Sequence, residues 1–347
     1  MARAGNALGQ FIEGWFALDR GKVAHMDKKR HHYVPKAYLK FFCDAEGKVR
    51  VYLKDNPNKA IHQAPDKTGF HKYYYSQPLP EGGKDHNTLE DIFSELESKW
   101  PPIVERLQQR ENVKDSLEDL FAFIALQRVR VPASRDVSEK MLAELVMATM
   151  RRLDAMGKFP PKPKGFEDIL DHVEVEIDPH MSIHMMAHKL QGVRRVFDQI
   201  GLGAFHNTTD IPFLTSDNPV IWFDPSVPEA EMQPYVLKPD GPIVLLFPVT
   251  PNLMIYGNSF MREPSVYNGL RHRELSERRH VKVMNRQICR FAYKAVFAQK
   301  VGQEALIRKY AHFSPVLRTD VIPGKEGEFL FHQQGFGKRK RKPKWEG

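Results

Sequence analysis

The sequence predicts an α+β fold: a central helical section followed by a mainly antiparallel sheet, with an N-terminal short helix and strands joining the same core. Three observations carry this. Apolar residues recur at helical spacing from about Asn87 to Ile200. After residue 201 the pattern changes to short apolar runs bounded by Pro, Asn, Asp and Gly. The two patterns segregate along the chain, whereas a doubly wound parallel sheet would alternate them.

Taken in order, Leu8, Ile12, Trp15 and Phe16 are helically spaced within residues 1–25, an N-terminal extension ahead of Met26, itself an alternative start. Pro35 to Phe42 reads as a short helix with proline in its first turn, Lys48–Lys54 alternates as a strand does, and Phe70–Tyr75 is a second strand. Leu89, Ile92, Phe93, Leu96, Trp100, Ile103 and Leu107 keep an apolar stripe across Pro101-Pro102, where the helix must kink or restart. Helices over 115–131 and 133–157 follow. A Pro- and Lys-rich break at Phe159–Lys164 is the best internal boundary within one domain spanning 26–335. Phe213–Leu214, Val220–Phe223, Ile243–Phe247 and Leu253–Tyr256 read as strands, with Thr250-Pro251-Asn252 as a hairpin connection and a helix over 281–298.

Composition narrows the function classes. Cys43 and Cys289 are the only cysteines and are far apart, which argues against a disulfide framework or a thiolate zinc site and fits a reducing compartment. No window has the roughly 20 uninterrupted apolar residues of a membrane span, and the start lacks the order of a signal peptide, so the cytoplasm is the expected location. The net charge of +9 is carried by the chain ends: Lys338, Arg339, Lys340, Arg341, Lys342 and Lys344 in a tail over 336–347, and Lys28, Lys29 and Arg30 near the start. Such a tail cannot bury apolar area and is expected to be disordered; it suits attachment to an anion such as nucleic acid or an acidic membrane.

Three clusters carry chemistry-bearing side chains. In the first, His31 and His32 are adjacent on an extended segment and so point to opposite sides; each is either a proton shuttle or metal ligand, or a partly exposed ring beside a helix start. In the second, at about 100° per residue, Leu117, Leu120, Phe121, Ile124 and Val131 share one helix face. Arg128 falls near its middle and Gln127 at its edge, while Arg130 projects elsewhere, beside Phe123 and Leu126. A buried guanidinium requires a carboxylate or a bound anion, so Arg128 is expected in an ion pair or an anion site. In the third, Asp217 and Asn218 lie in a polar turn between apolar runs, and Asp217 is either a turn former or the carboxylate opposite Arg128 or His32. A fourth group, His180, His184 and His188, lies away from the stripe of its own helix and reads as a surface row. No Walker, nucleophile-elbow, HExxH or dinucleotide-loop motif is present.

Together, His31-His32-Tyr33-Val34-Pro35 with Tyr38-Leu39-Lys40-Phe41-Phe42, the run Phe123 to Pro132 and the run Phe213 to Val220 resemble domain-of-unknown-function family 4238 over about residues 28–300, with further similarity at Phe247 to Pro251 and at Asn285. The resemblance implies an intracellular bacterial protein and brings no established activity. Members commonly carry Arg-Thr-Pro where this chain has Arg130-Val131-Pro132.

Two functional classes follow. As an enzyme, His31 or His32, Gln127, Arg128, Arg130, Asp217, Asn218 and Asn285 would converge in one pocket for phosphodiester hydrolysis. His32 and Asp217 would hold a divalent metal such as Mg or Mn, and Arg128 would clamp the anion. As a binding module, the same residues form a buried network that fixes the fold, and the basic tail attaches to nucleic acid. A solvent-reachable pocket around Asp217 favours the first class and a sealed network the second.

Overall fold

The computed structural model describes residues 27–158, 160–263, 269–324 and 327–340. The apolar helical pattern at Leu8 to Phe16 and the charges beyond Lys340 lie outside them. The architecture is α+β, as the segregated patterns require. The chain enters through β1 (Arg30–His32), α1 (Lys36–Leu39), β2 (Val49–Leu53), β3 (Asn56–Gln63) and β4 (Phe70–Lys72), then the small pair β5 (Gln77–Pro78) and β6 (Lys84–Asp85).

A helical layer follows: α2 (Thr88–Ser98), α3 (Trp100–Gln108), α4 (Leu117–Val129), α5 (Pro132–Ala155), α6 (Ile169–His172) and α7 (Pro179–Phe197). The apolar stripe does restart at Pro101-Pro102, which occupy the first turn of α3, where missing amide hydrogens cost nothing. Pro132 opens α5 in the same way after an extended Val131, and Asp178 caps α7 by accepting the His180 amide at 2.9 Å. Every residue of α4 from Ala122 to Val129 is buried, so this helix is the centre of the layer.

Against it lies a five-stranded sheet in the order β12-β7-β11-β10-β9: β7 (Gly201–Asn207), β9 (Ile221–Phe223), β10 (Val244–Thr250), β11 (Leu253–Asn258) and β12 (Arg271–Leu275). Only the β12–β7 pairing is parallel. The β10–β11 hairpin turns at Thr250-Pro251-Asn252, where the sequence places it. Strand β10 is buried on both faces. Leu245, Phe247 and Val249 join the core shared with the helices, and Val244 and Leu246 join a second core beneath α8 (Arg278–Phe291). A four-stranded sheet in the order β3-β2-β13-β8 adds β8 (Thr215–Ser216) and β13 (Ala295–Ala298), so the N-terminal strands do enter the body formed by the late chain. Helix α9 (Glu304–Lys309) and the long hairpin β14 (Ser314–Gly324) and β15 (Gly327–Gly337) complete the chain.

Several sequence expectations are corrected. The helix expected over 281–298 stops at Phe291, and Ala295–Ala298 form a strand instead, because pairing with β2 on one side and β8 on the other satisfies their backbone. Phe213–Leu214 are not paired; the polar Thr215 and Ser216 are. The folded chain extends past residue 335, since β15 runs to Gly337. The expectation of a disordered tail falls partly on described residues: Arg339 forms an ion pair with Asp55 at 2.6 Å. Both cysteines are free thiols, and His184 and His188 are exposed, as a surface row should be.

Aromatic stacking binds the layers. Trp100 stacks on Phe123 with centroids 4.1 Å apart, and Tyr38 stacks on Phe247 at 5.5 Å. The buried Tyr38 hydroxyl donates to Pro248 O at 2.6 Å and meets Thr215 Oγ1 at 2.5 Å, linking α1, β10 and β8. Tyr38→Phe therefore leaves two buried oxygens unpaired and should cost about 1–3 kcal/mol, read as a lower urea midpoint at unchanged m-value.

Candidate functional site

The three motifs meet. Gln127 Nε2 donates to Tyr33 O at 2.9 Å, Arg130 Nη2 donates to His32 O, Tyr38 reaches Thr215, and Asn218 Nδ2 donates at 2.5 Å to the hydroxyl of Tyr235, whose ring carries Arg128. What they assemble differs from the expected constellation in several respects.

Both histidines are buried, against the reading of partly exposed rings. His31 is fully satisfied: Nε2–H donates to Lys28 O at 2.7 Å and Nδ1 accepts the Tyr75 amide at 2.8 Å, which defines a neutral tautomer. Burial lowers its pKa. His32 packs its ring against Phe70, and its Nε2 has no hydrogen-bond partner among the described residues. Burial, then the positive charges of Lys36 and Arg130, depress it to about 4.

Asp217 does not face Arg128 or His32. Its side chain is wholly buried, and its oxygens accept the Tyr293 and Lys294 amides at 2.8 and 2.7 Å. Burial pushes its carboxyl up against the opposing pull of these amides. With both oxygens held by main chain, His32 and Asp217 do not fit a divalent-cation site. Among the described residues no group of three or more His, Cys, Asp or Glu side chains is placed to hold a metal ion. Asn218 also donates to Phe291 O at 2.8 Å. Asn285 accepts the Leu214 amide at 2.9 Å and donates to Pro212 O and Gln303 Oε1, a clamp between α8 and the strand-entry loop.

The two arginines exchange the roles expected of them. Arg130, expected to project elsewhere, is the paired one: only 1% exposed, it meets Glu97 Oε1 at 2.7 Å and stacks over Phe93. Nearby Glu90 is raised to about 7 by burial, with Arg130 opposing. Arg128 is inward, as helical phase requires, but no carboxylate meets it. Its guanidinium carbon lies 3.6 Å from the Tyr235 ring centroid and 5.4 Å from that of Trp222, and Nε and Nη1 find no acceptor among the described residues. Burial lowers its pKa. Tyr235 is held in the left-handed region at φ 61°, a conformation costing a non-glycine residue about 1 kcal/mol.

Sequence reading missed Glu97, Lys189, Trp222 and Tyr235. Glu97 lies four residues after Phe93, about 40° away on the helix, and Lys189 has the same relation to Val193, so both border an apolar stripe and could have been flagged. Tyr235 sits in the irregular segment between β9 and β10, where no periodicity exists to find it. Lys189 Nζ donates to Ser134 O at 2.6 Å and Oγ at 3.1 Å; burial, then the Arg128 charge, depress it to about 7.

The family described as "Protein of unknown function (DUF4238)" matches residues 30–301. The chain belongs to that family. All three motifs fall within the DUF4238 match, whereas α9 and the β14–β15 hairpin follow it. Comparison with curated proteins and with solved structures finds no match. Among the described residues of this DUF4238 protein, no helix is long and apolar enough to cross a membrane.

Two predictions follow from the buried charges. Arg130→Met leaves Glu97 and His32 O without their donor and should cost about 3 kcal/mol. Arg128→Met orphans no carboxylate and trades a cation–π contact for relief of a buried charge, so its stability should change by only about 1 kcal/mol. Chemical denaturation of both variants checks the order. Lys54, buried with its ammonium on Phe313 O, is likewise depressed to about 7 by burial. Lys54 and Lys189 both lose their proton earlier when folded, so above pH 7 the unfolded chain binds more protons and stability rises toward about pH 10. Replacing both by Met should flatten that rise, measured as urea midpoints at pH 7 and 9.5.

Proposed function

We propose that this protein is a binding module in which the three-motif network fixes the fold, and that its basic C-terminal segment attaches it to nucleic acid. The observation that carries this reading is the commitment of Asp217: both oxygens are held by main-chain amides and the side chain is sealed from solvent. A metal-assisted phosphodiester hydrolase would need that carboxylate open to substrate and metal, and the same burial counts against it. A scaffold needs no solvent-reachable carboxylate, and His31, Asp217 and Asn285 are each held by hydrogen bonds from separate segments.

The placement of the tail root supports an electrostatic role. Strand β15 leads into Lys338, Arg339 and Lys340, which line a 420 Å³ cavity together with Glu174 and Glu176. Arg339 is engaged by Asp55, which leaves Lys338, Lys340, Arg341, Lys342 and Lys344 to meet phosphates.

With about five phosphate contacts, the logarithm of duplex affinity should fall against the logarithm of salt with a slope of roughly −4.5. Replacing Arg341, Lys342 and Lys344 by Gln in the full-length protein should bring the slope to about −2. Fluorescence-anisotropy titrations on one duplex at several salt concentrations check this. Equal slopes for the two proteins would reject attachment through the tail.

A further inference from the structure

We propose that Arg128 organises a buried binding site for a phosphate group, presented by inorganic phosphate or a phosphomonoester, between the end of α4, α7 and the β9–β10 connection. The site is distinct from the tail and does not depend on it.

Arg128 is only 6% exposed, makes no ion pair, and has Nε and Nη1 buried without an acceptor among the described residues. Its contacts are aromatic: Tyr235 at 3.6 Å and Trp222 at 5.4 Å. A flat aromatic platform holds the plane of a guanidinium while leaving its edge, where every N–H points, free for an oxyanion. Arg130, two residues on, shows the contrast: the same chain supplies a buried arginine with Glu97 where a structural pair is made.

Further groups near Arg128 have unmet hydrogen-bonding capacity. Trp222 Nε1, on one of the two rings beside the guanidinium, is buried without an acceptor. Lys189 lies close enough for the Arg128 charge to act on its ammonium, and its own partners, Ser134 O and Oγ, are neutral. Glu139 and Asp136 act on the Lys189 ammonium, whereas among the described residues no carboxylate meets the Arg128 guanidinium. A bound dianion or monoanion would balance it, with charge-assisted hydrogen bonds strengthened by the low-dielectric surroundings.

The unmet groups also decide between oxyanions. Asn218 Oδ1, whose amide nitrogen is tied to the Tyr235 hydroxyl, is buried without a donor. A phosphate monoanion carries hydroxyl hydrogens and can donate to such an acceptor. A carboxylate cannot. Tyr235 and Asn218 then act as positioning residues: the amide holds the hydroxyl, and the strained tyrosine holds the guanidinium plane.

The test uses the full-length protein with inorganic phosphate as probe and acetate as control, at pH 6.5 and constant ionic strength. Calorimetry should show saturable binding of one phosphate and none of acetate. Arg128→Met should weaken phosphate at least about tenfold, the loss expected of a charge-assisted contact, and Lys189→Met should weaken it less. Should Arg128→Met fail to fold, the wild-type protein labelled with ¹⁵N-arginine still reports: one protected Nε–H resonance should shift with phosphate. Absence of saturable binding, binding that survives Arg128→Met, or no moving arginine resonance would overturn the site. Equal binding of acetate would overturn its assignment to phosphate. The Gln substitutions at Arg341, Lys342 and Lys344 should leave phosphate affinity unchanged, so failure here and failure of the tail reading are separable.

Discussion

The capture of two main-chain amides by Asp217 is the constraint around which the late half of the chain is arranged. Where α8 ends and β13 begins, the amides of Tyr293 and Lys294 lie inside the protein and need acceptors. The carboxylate supplies both, and the Asp217 amide itself donates to Ala295 O, so the turn after β8 and the entry to β13 are locked together. From that lock follow the pairing of Thr215 and Ser216 with β13, the grip of Asn218 on Phe291 O, and the seat of Tyr235. Lys54 N–H bonding to Lys294 O then carries the N-terminal sheet into the same junction.

Buried charge is handled in two ways within a few residues. Arg130 is paired and also donates to the main chain of the His31-His32 segment, so it helps hold β1 against α4. Arg128 is held by aromatic faces, with no carboxylate on it among the described residues. Desolvating an arginine is expensive, and the stack with Tyr235 offsets part of that cost at most.

The family match covers the three motifs and ends before the last helix and hairpin. The network of the three motifs lies within the part shared with DUF4238 proteins, while the hairpin that presents the basic segment follows it.

By itself the sequence determined the α+β class, the helices of the central section, the restart at Pro101-Pro102, the turn at Thr250-Pro251-Asn252 and the inward phase of Arg128. Each of these is written in local periodicity or in proline geometry, which a single segment carries unaided. Tertiary structure alone decided which partner each inward polar group would meet. Asp217 was legible as a turn former or an acid, but its choice of the Tyr293 and Lys294 amides depends on a strand pairing made with Ala295–Ala298, themselves an apparent continuation of α8. Arg128 and Arg130 are two residues apart, about 200° around the helix, and only the position of Glu97 on another helix assigns the ion pair to the second. Partner choice is set by contacts far apart in sequence, and one chain read residue by residue contains no term for them.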